Sequence, residues 1–96
     1  MTGHNLKTME KQIWKYQLEQ MHSSIMMPIG AEILTMQLQN GKPCIWALVD
    51  PEAEKSIREI EIHGTGHDIS YTDIIQRKYI GTYQVEPFVF HVFERI

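Results

Sequence analysis

The sequence predicts an all-β fold, a compact antiparallel sandwich or small barrel of six to seven short strands. Apolar and polar side chains alternate along several short segments, which is the pattern of strands with one buried face. Turn-forming residues recur about every ten residues, and two of the segments flank a strong hairpin turn. The 96 residues, 43% of them hydrophobic and 22% charged, are enough for one globular domain.

The first part of the chain predicts two extended segments. Residues 1–11 are polar and lack periodicity, so we expect a flexible leader followed by a single β domain over residues 12–96. From Ile13 to Gln20 apolar and aromatic side chains alternate with polar ones, which predicts the first strand. Ser24 to Met27 predicts a short extended stretch, and the Pro28-Ile29-Gly30 turn leads into the hairpin.

The hairpin is predicted by the segment Gln39-Asn40-Gly41-Lys42. Both central residues tolerate the positive φ angles that a two-residue type I′ turn requires. The resulting register makes one apolar, core-facing surface from cross-strand pairs. These pairs are Leu38 with Pro43, Met36 with Ile45, and Leu34 with Ala47. Trp46 falls on the opposite face among polar side chains, where a large aromatic indicates contact with a ligand or a partner.

The rest of the chain predicts a helical turn and three further strands. Asp50-Pro51-Glu52 has the composition of a helix start, so we expect a short helical turn after Asp50. Arg58 to His63 alternates as a strand does, and the glycine-containing segment after it forms a loop. Residues 69–78 are ambiguous, because their apolar spacing suits a helix and their β-branched content opposes one. The closing strands are Tyr79 to Val85 and Phe88 to Phe93.

The last of these strands is apolar on both faces. Phe88, Phe90 and Val92 point to one side, and Val89, His91 and Phe93 point to the other. Such a strand belongs in the centre of a sheet or in a subunit interface. We therefore expect the protein to assemble as a homo-oligomer, either a dimer or a tetramer.

Composition excludes several classes of function. The net charge of −3 and the pI of about 5.9 argue against binding to duplex nucleic acid. No apolar run is long enough to span a membrane, and the chain has no apolar signal core. Cys44 is the single cysteine, which excludes an intrachain disulfide and a thiolate zinc site and fits a reducing compartment. We expect a cytoplasmic protein without a cofactor.

Four segments together resemble a known family. They are Ile13-Trp14-Lys15-Tyr16, Gln39 to Pro51, His63-Gly64-Thr65-Gly66-His67, and Phe88 to Glu94. From Lys11 onward the chain resembles a family of short domains of unknown function encoded by tailed bacteriophages and prophages. It is also similar to the anti-CBASS sponges, small phage proteins that sequester the cyclic nucleotide signals of bacterial antiviral defence.

The resemblance implies a function rather than a catalytic mechanism. It implies a phage immune-evasion protein that acts in the host cell cytoplasm as an oligomer. Its ligand would be a cyclic dinucleotide such as cyclic GMP-AMP, bound without being cleaved. The resemblance assigns no individual binding residues, so we choose the candidates from their chemistry and position.

A cyclic dinucleotide requires flat side chains for its bases and donors for its phosphates. Trp46 and Tyr79 are candidate stacking residues, and Arg58 and Arg77 are candidate phosphate ligands, although core packing and solvation are the ordinary roles of such residues. In the loop His63 to His67, two glycines allow close approach of the backbone, and the loop side chains add donors. The predicted ligand-binding residues are therefore Trp46, Arg58, His63, Thr65, His67, Arg77 and Tyr79.

The histidines do not predict a metal site or a catalytic site. His63 and His67 are four residues apart, but the glycines between them oppose the helix that would align both side chains. The segments starting at His22 and His63 loosely resemble the His-x-Ser/Thr pattern of two-histidine phosphoesterases. The apolar residues that surround this pattern in those enzymes are absent here, and their fold needs a substantially longer chain. We therefore predict neither metal nor catalysis.

A third class of function is consistent with the same sequence. Exposed aromatic strands also suit a phage structural protein or a protein-interaction module. A nucleotide-binding protein should bring Arg58, Arg77 or the His63 loop next to an aromatic side chain. An interaction module should instead present a flat aromatic patch.

Overall fold

The protein is an antiparallel β-sandwich in a computed structural model that describes residues 8–96. Its seven strands form a smaller sheet in the order β1-β4-β3 and a larger sheet in the order β2-β5-β7-β6. The strands are β1 (Gln12–Gln17), β2 (His22–Pro28), β3 (Glu32–Gln39), β4 (Lys42–Val49), β5 (Lys55–Gly64), β6 (Arg77–Val85) and β7 (Phe88–Arg95). The predicted all-β fold is confirmed.

The core lies between the two sheets, where the inward side chains of alternate residues meet. Ile60 and Ile62 of β5 and Val92 of β7 pack against Met36 and Ile45 of the smaller sheet. A second group of buried side chains continues the core towards the other end of the smaller sheet. It contains Met27, Ala31, Ala47 and Val49. Burial of these apolar side chains is the main force that holds the sheets together.

The predicted hairpin turn between β3 and β4 is confirmed. Asn40 has a φ of 53° and Gly41 a φ of 76°, both in the left-handed region that a type I′ turn requires. Leu38 pairs with Pro43 and Met36 with Ile45, as expected. The predicted pair of Leu34 with Ala47 is wrong, because a bulge between Ile33 and Thr35 makes Ile33 the partner of Ala47 and leaves Leu34 exposed.

Where a short helical turn is expected after Asp50, the chain makes a single hydrogen-bonded turn and no helix. The Asp50 carboxylate accepts a hydrogen bond from the Glu52 amide (3.0 Å), and the Asp50 carbonyl accepts one from the Ala53 amide (3.1 Å). These bonds close a single turn, and β5 then begins at Lys55. The ambiguous residues 69–76 form irregular structure between β5 and β6.

Strand β7 lies between β5 and β6, as expected for a central strand; Val92 on its inner face is buried in the core, and His91 and Phe93 on its outer face are half-buried. Strand β6 is an edge strand and contains a second bulge, between Tyr79 and Gly81. Residues 1–7 of the predicted leader lie outside the described residues. Residues 8–11 precede the first strand and are exposed. No helix among residues 8–96 is long and apolar enough to cross a membrane.

Candidate functional site

The outer face of the larger sheet carries a regular array of functional side chains. Three neighbouring strands, β5, β7 and β6, each contribute three outward residues in matching register. We call these nine residues the outer grid. Its rows across the strands are Glu59-Arg95-Arg77, Glu61-Phe93-Tyr79 and His63-His91-Thr82. Because strands lie about 4.8 Å apart, the side chains of one row are within contact distance.

Glu61 is the charged centre of the outer grid. Its carboxylate is buried and accepts a hydrogen bond from Arg77 Nε at 2.7 Å. His63 Nε2 lies 2.8 Å from the same oxygen, and Arg95 Nη1 lies 3.6 Å from the other. A buried carboxylate needs such partners, because an unpaired charge away from water is costly.

These contacts shift the pKa values of Glu61 and Arg77. Burial acts to raise the pKa of Glu61, but the hydrogen bonds from His63 and Arg77 and the charge of Arg77 outweigh it, so the pKa is lowered. The pKa of Arg77 is raised, first by its hydrogen bond to Glu61. Glu61 and Arg77 therefore form an ion pair that stays charged across the neutral range.

Arg77 also holds the preceding loop against the sheet. Its Nη1 donates a hydrogen bond to the Ser70 carbonyl at 2.8 Å. The Tyr71 ring lies over the guanidinium, 4.8 Å from ring centroid to Cζ. This arrangement allows a cation–π interaction. The loop thus covers one end of the outer grid, and Arg77 connects it to Glu61.

An aromatic row crosses the middle of the outer grid. The Phe93 ring packs edge-to-face against Tyr79, with centroids 5.6 Å apart, and against His63, with centroids 6.0 Å apart. Tyr79 remains 55% exposed. Rings on the outer face of a sheet that remain accessible to solvent provide a flat apolar surface on which another planar group can stack.

A chain of hydrogen bonds runs along the other end of the outer grid. The Tyr79 hydroxyl lies 2.6 Å from the Thr82 hydroxyl, which lies 3.0 Å from His91 Nδ1. On the far side of the His91 ring, Nε2 lies 2.7 Å from the Thr65 hydroxyl. The chain fixes the orientation of the exposed Tyr79 ring and joins it to the loop that follows β5.

The structure brings four of the seven predicted ligand-binding residues to this face. His63, Arg77 and Tyr79 belong to the outer grid, and Thr65 contacts it through His91. His67 instead turns back over Gly64, where its ring would lie 2.8 Å from a Cβ atom on that residue. It lines a separate cavity of about 260 Å³ with Phe88 and Phe90.

Arg58 lies on the inward face of β5, away from the outer grid. Its guanidinium is paired with the Glu94 carboxylate through Nε and Nη2, and its Nη1 donates to the Ala31 carbonyl at 2.9 Å. The hydrogen bond to Glu94 raises the pKa of Arg58, although burial opposes the shift. Arg58 lines a cavity of about 450 Å³ between the edges of β3 and β6, together with Lys78 and with Tyr79, which also belongs to the outer grid.

Trp46 lies on the outer face of the smaller sheet, where it is half-buried and pairs with Lys15 and Thr35. This face is on the opposite side of the sandwich from the outer grid. Trp46 and Tyr79 therefore cannot contact the same ligand within one copy of the chain.

Sequence reasoning missed Phe93, Arg95, Thr82 and the central role of Glu61. The alternation of β5 places Glu59, Glu61 and His63 on one face, and the alternation of β7 does the same for His91, Phe93 and Arg95. These signals were present in the sequence. The juxtaposition of the two sets depends on strand order and register, which local periodicity does not specify.

The histidines of the phosphoesterase-like pattern are paired with carboxylates on the outer face of the larger sheet. Two histidines of the phosphoesterase-like pattern lie on this face, but each directs Nε2 to a carboxylate: His22 to Glu59 at 2.5 Å and His63 to Glu61 at 2.8 Å. Ser24 also donates to Glu59, at 2.8 Å, and not to a histidine. Within residues 8–96, no group of three or more His, Cys, Asp or Glu side chains could hold a metal ion.

Comparison with other proteins assigns the chain to a family by sequence. No curated protein and no solved structure is significantly similar to it. One family model covers nearly all the described residues, from the segment before β1 to the end of the chain. The chain belongs to the family described as domain of unknown function DUF7352, whose model matches residues 9–96.

Proposed function

We propose that this protein binds a cyclic dinucleotide, such as cyclic GMP-AMP, on the outer grid and sequesters it without cleaving it. In a phage, such a protein would remove a defence signal from the host cytoplasm. One observation carries the proposal: the exposed Tyr79 ring, braced by Phe93, lies in the row next to Arg95. A stacking surface and a cation are the two elements that a nucleotide requires.

A base stacks on Tyr79 in this proposal. The Tyr79 ring is held in place by its packing against Phe93 and by the hydrogen bond between its hydroxyl and Thr82. The side chain therefore loses little rotational freedom when a base binds. Stacking of one base on an aromatic side chain contributes about 1–3 kcal/mol. The hydrogen bonds that join Tyr79, Thr82 and His91 hold the ring in this orientation.

Arg95 is the better phosphate ligand of the two arginines in the grid. Arg77 is committed to Glu61, Ser70 and Tyr71. Arg95 makes only a 3.6 Å contact with Glu61, and its side chain is 41% exposed. Its guanidinium can therefore turn to a phosphate and form the bidentate contacts that such groups favour. Arg77 has the supporting role of neutralising Glu61 beneath the site.

Titration calorimetry of the purified protein against cyclic di- and trinucleotides tests the proposal, and chromatography of the recovered ligand shows whether it stays intact. Nanomolar binding is expected, because a protein that acts by stoichiometric sequestration must bind well below the signal concentration. No heat with any nucleotide overturns the proposal and favours a protein-interaction module. Recovery of a linear product would mean that the protein is an enzyme.

Replacing Tyr79 by alanine should weaken binding about 5- to 150-fold, which corresponds to about 1–3 kcal/mol of stacking. Phe88→Ala is the matched control, because this ring is 62% exposed and lies outside the outer grid. The expected calorimetric result is a loss of affinity in the first variant only. Equal affinities for both variants would remove Tyr79 from the site.

Replacing Arg95 by glutamine should weaken binding and also reduce its dependence on salt, because one cationic contact to phosphate is removed. Lys42→Gln makes the same change of charge at the exposed β3–β4 turn. Affinities at two salt concentrations separate the variants. A salt dependence of Arg95→Gln equal to that of Lys42→Gln would contradict the assignment.

A further inference from the structure

The loop before β6 places a further aromatic ring beside the outer grid. Tyr71 lies in the segment that connects β5 to β6. Its ring lies over the Arg77 guanidinium, and the residue is 64% exposed. One side of Tyr71 is therefore in contact with the outer grid, and much of its surface is open to solvent.

The burial of Arg77 shows which way the Tyr71 ring faces. The Arg77 side chain is only 5% exposed, although it lies on the outer face of an edge strand. The Tyr71 ring, 4.8 Å from the guanidinium carbon, and the loop backbone at Ser70 cover it. Since one face of the ring covers the guanidinium, the opposite face is the one that solvent reaches.

Arg77 also holds the ring in place. Its Nε donates to the buried Glu61 carboxylate at 2.7 Å. Its Nη1 donates at 2.8 Å to the carbonyl of Ser70, the residue directly before Tyr71. Because the guanidinium and the backbone next to the ring are both anchored, Tyr71 is restrained despite its exposure. A restrained ring stacks on a planar ligand with a smaller loss of conformational entropy than a free one.

Tyr71 lies close to the two residues that we assign to the nucleotide. Arg77, which it covers, is two residues from Tyr79 on the same face of β6, roughly 7 Å along the strand. Arg77 also pairs directly with Arg95 of β7. The exposed Arg95 guanidinium therefore borders both aromatic positions. This end of the outer grid has two accessible rings with a cation beside them.

We propose that Tyr71 is a second stacking residue, which binds one base of a cyclic dinucleotide while Tyr79 binds the other and Arg95 contacts a linking phosphate. This inference rests on the proposed function and adds selectivity for ligand size. Both bases of such a ligand are attached to one small ring of sugars and phosphates. Once the first base is bound, the second stacks in an intramolecular step, without a second cost of association. The protein should therefore prefer dinucleotides to mononucleotides.

Titration calorimetry with one-base and two-base ligands tests this preference. The two-base probes are cyclic GMP-AMP, cyclic di-GMP and cyclic di-AMP, and the one-base probes are cyclic GMP and cyclic AMP. The parent protein should bind at least one dinucleotide about 5- to 150-fold more tightly than either mononucleotide, which is the effect of one base–aromatic stack. Tyr71→Leu should lose this factor for the dinucleotide and change the mononucleotide affinity little.

Two variants separate stacking from support of the loop. Tyr71→Phe keeps an aromatic ring over Arg77 and should bind the dinucleotide like the parent protein. Ile74→Ala changes a side chain that is 86% exposed in the same loop, and it should also bind like the parent. Urea unfolding of Tyr71→Leu measures whether the fold is retained, which is expected because leucine still covers the guanidinium with an apolar side chain.

The outcomes distinguish this inference from the proposed function. Parental dinucleotide affinity in Tyr71→Leu overturns the inference and leaves the proposed function in place, because Tyr79 and Arg95 would then be sufficient. Equal affinity of the parent protein for one-base and two-base ligands also overturns it. So does an equal loss of affinity in Tyr71→Leu and Ile74→Ala, which would assign the effect to the loop as a whole. No binding of any nucleotide overturns the proposed function and this inference together.

Discussion

Glu61 is the residue on which the outer face of the larger sheet is organised. Carboxylates are rarely buried in proteins unless they are paired. The Glu61 carboxylate is paired with His63, Arg77 and Arg95. Removing the charge would leave Arg77 without its strongest partner. The loop held by Arg77 would then lose its attachment to the sheet.

The lowered pKa of Glu61 gives a pH dependence of stability. The pKa of this carboxyl is lower in the folded protein than in the unfolded chain, so its stabilising contribution is complete above the unfolded value of about 4.5. The contribution is lost as pH falls through the lowered pKa. Glu61→Gln should therefore unfold more easily than the parent at pH 7, with a smaller difference at about pH 3.

Urea unfolding at several pH values measures this difference. Glu86→Gln removes an exposed carboxylate from the β6–β7 turn and should follow the parent at every pH. A constant difference between Glu61→Gln and the parent from pH 7 to about pH 3 would show that the Glu61 charge does not stabilise the fold.

Gly81 is a second residue whose identity the packing explains. A Cβ atom at this position would lie 2.7 Å from Cγ of Met36, a buried core side chain. Gly81→Ala should destabilise the protein by about 1–3 kcal/mol through overpacking. In urea unfolding, adding Met36→Ala should make the double variant more stable than the sum of the two single changes predicts. Strict additivity would rule out the clash.

At the scale of the elements, the β3–β4 hairpin depends on its turn. Gly41 has a φ of 76°, where a side chain is strained, so Gly41→Ala should cost about 1–2 kcal/mol of stability. Gln39→Ala, one residue outside the turn pair, should cost less. Thermal or urea unfolding compares the two variants, and equal losses would mean that the backbone conformation at Gly41 does not limit stability.

The elements that local signals specify were predicted correctly. Alternation identified the strands, and the Asn40-Gly41 pair identified the turn. The error at Leu34 has a physical cause: a bulge inserts one residue, so every pair beyond it changes partner, and nothing in the local pattern marks the insertion.

The candidate site was predictable only in part, because it depends on contacts between distant segments. His63, Arg77 and Tyr79 meet because β5 and β6 both flank β7, and this order cannot be read from periodicity. Arg58 is different, since it alternates in phase with Ile60 and Ile62, which face the core. That spacing already indicated an inward side chain, and the structure pairs it with Glu94.

At the scale of the whole molecule, the two sheets offer two separate outer faces for a ligand. Trp46 is on one and Tyr79 is on the other. If the outer grid binds the nucleotide, Trp46→Ala should bind with parental affinity in calorimetry while Tyr79→Ala does not. A loss of affinity in Trp46→Ala and not in Tyr79→Ala would mean that the nucleotide binds to the smaller sheet, around Trp46 and Lys15.

The two bulges bear on how the molecule behaves at high concentration. They lie in β3 and β6, which are edge strands of the two sheets. An edge strand with regular, unpaired backbone groups can pair with a strand of another chain and so promote aggregation. An irregular edge cannot be extended by a second copy in simple register. The other two edge strands, β1 and β2, pair in unbroken register, so they are the edges along which another chain could add a strand.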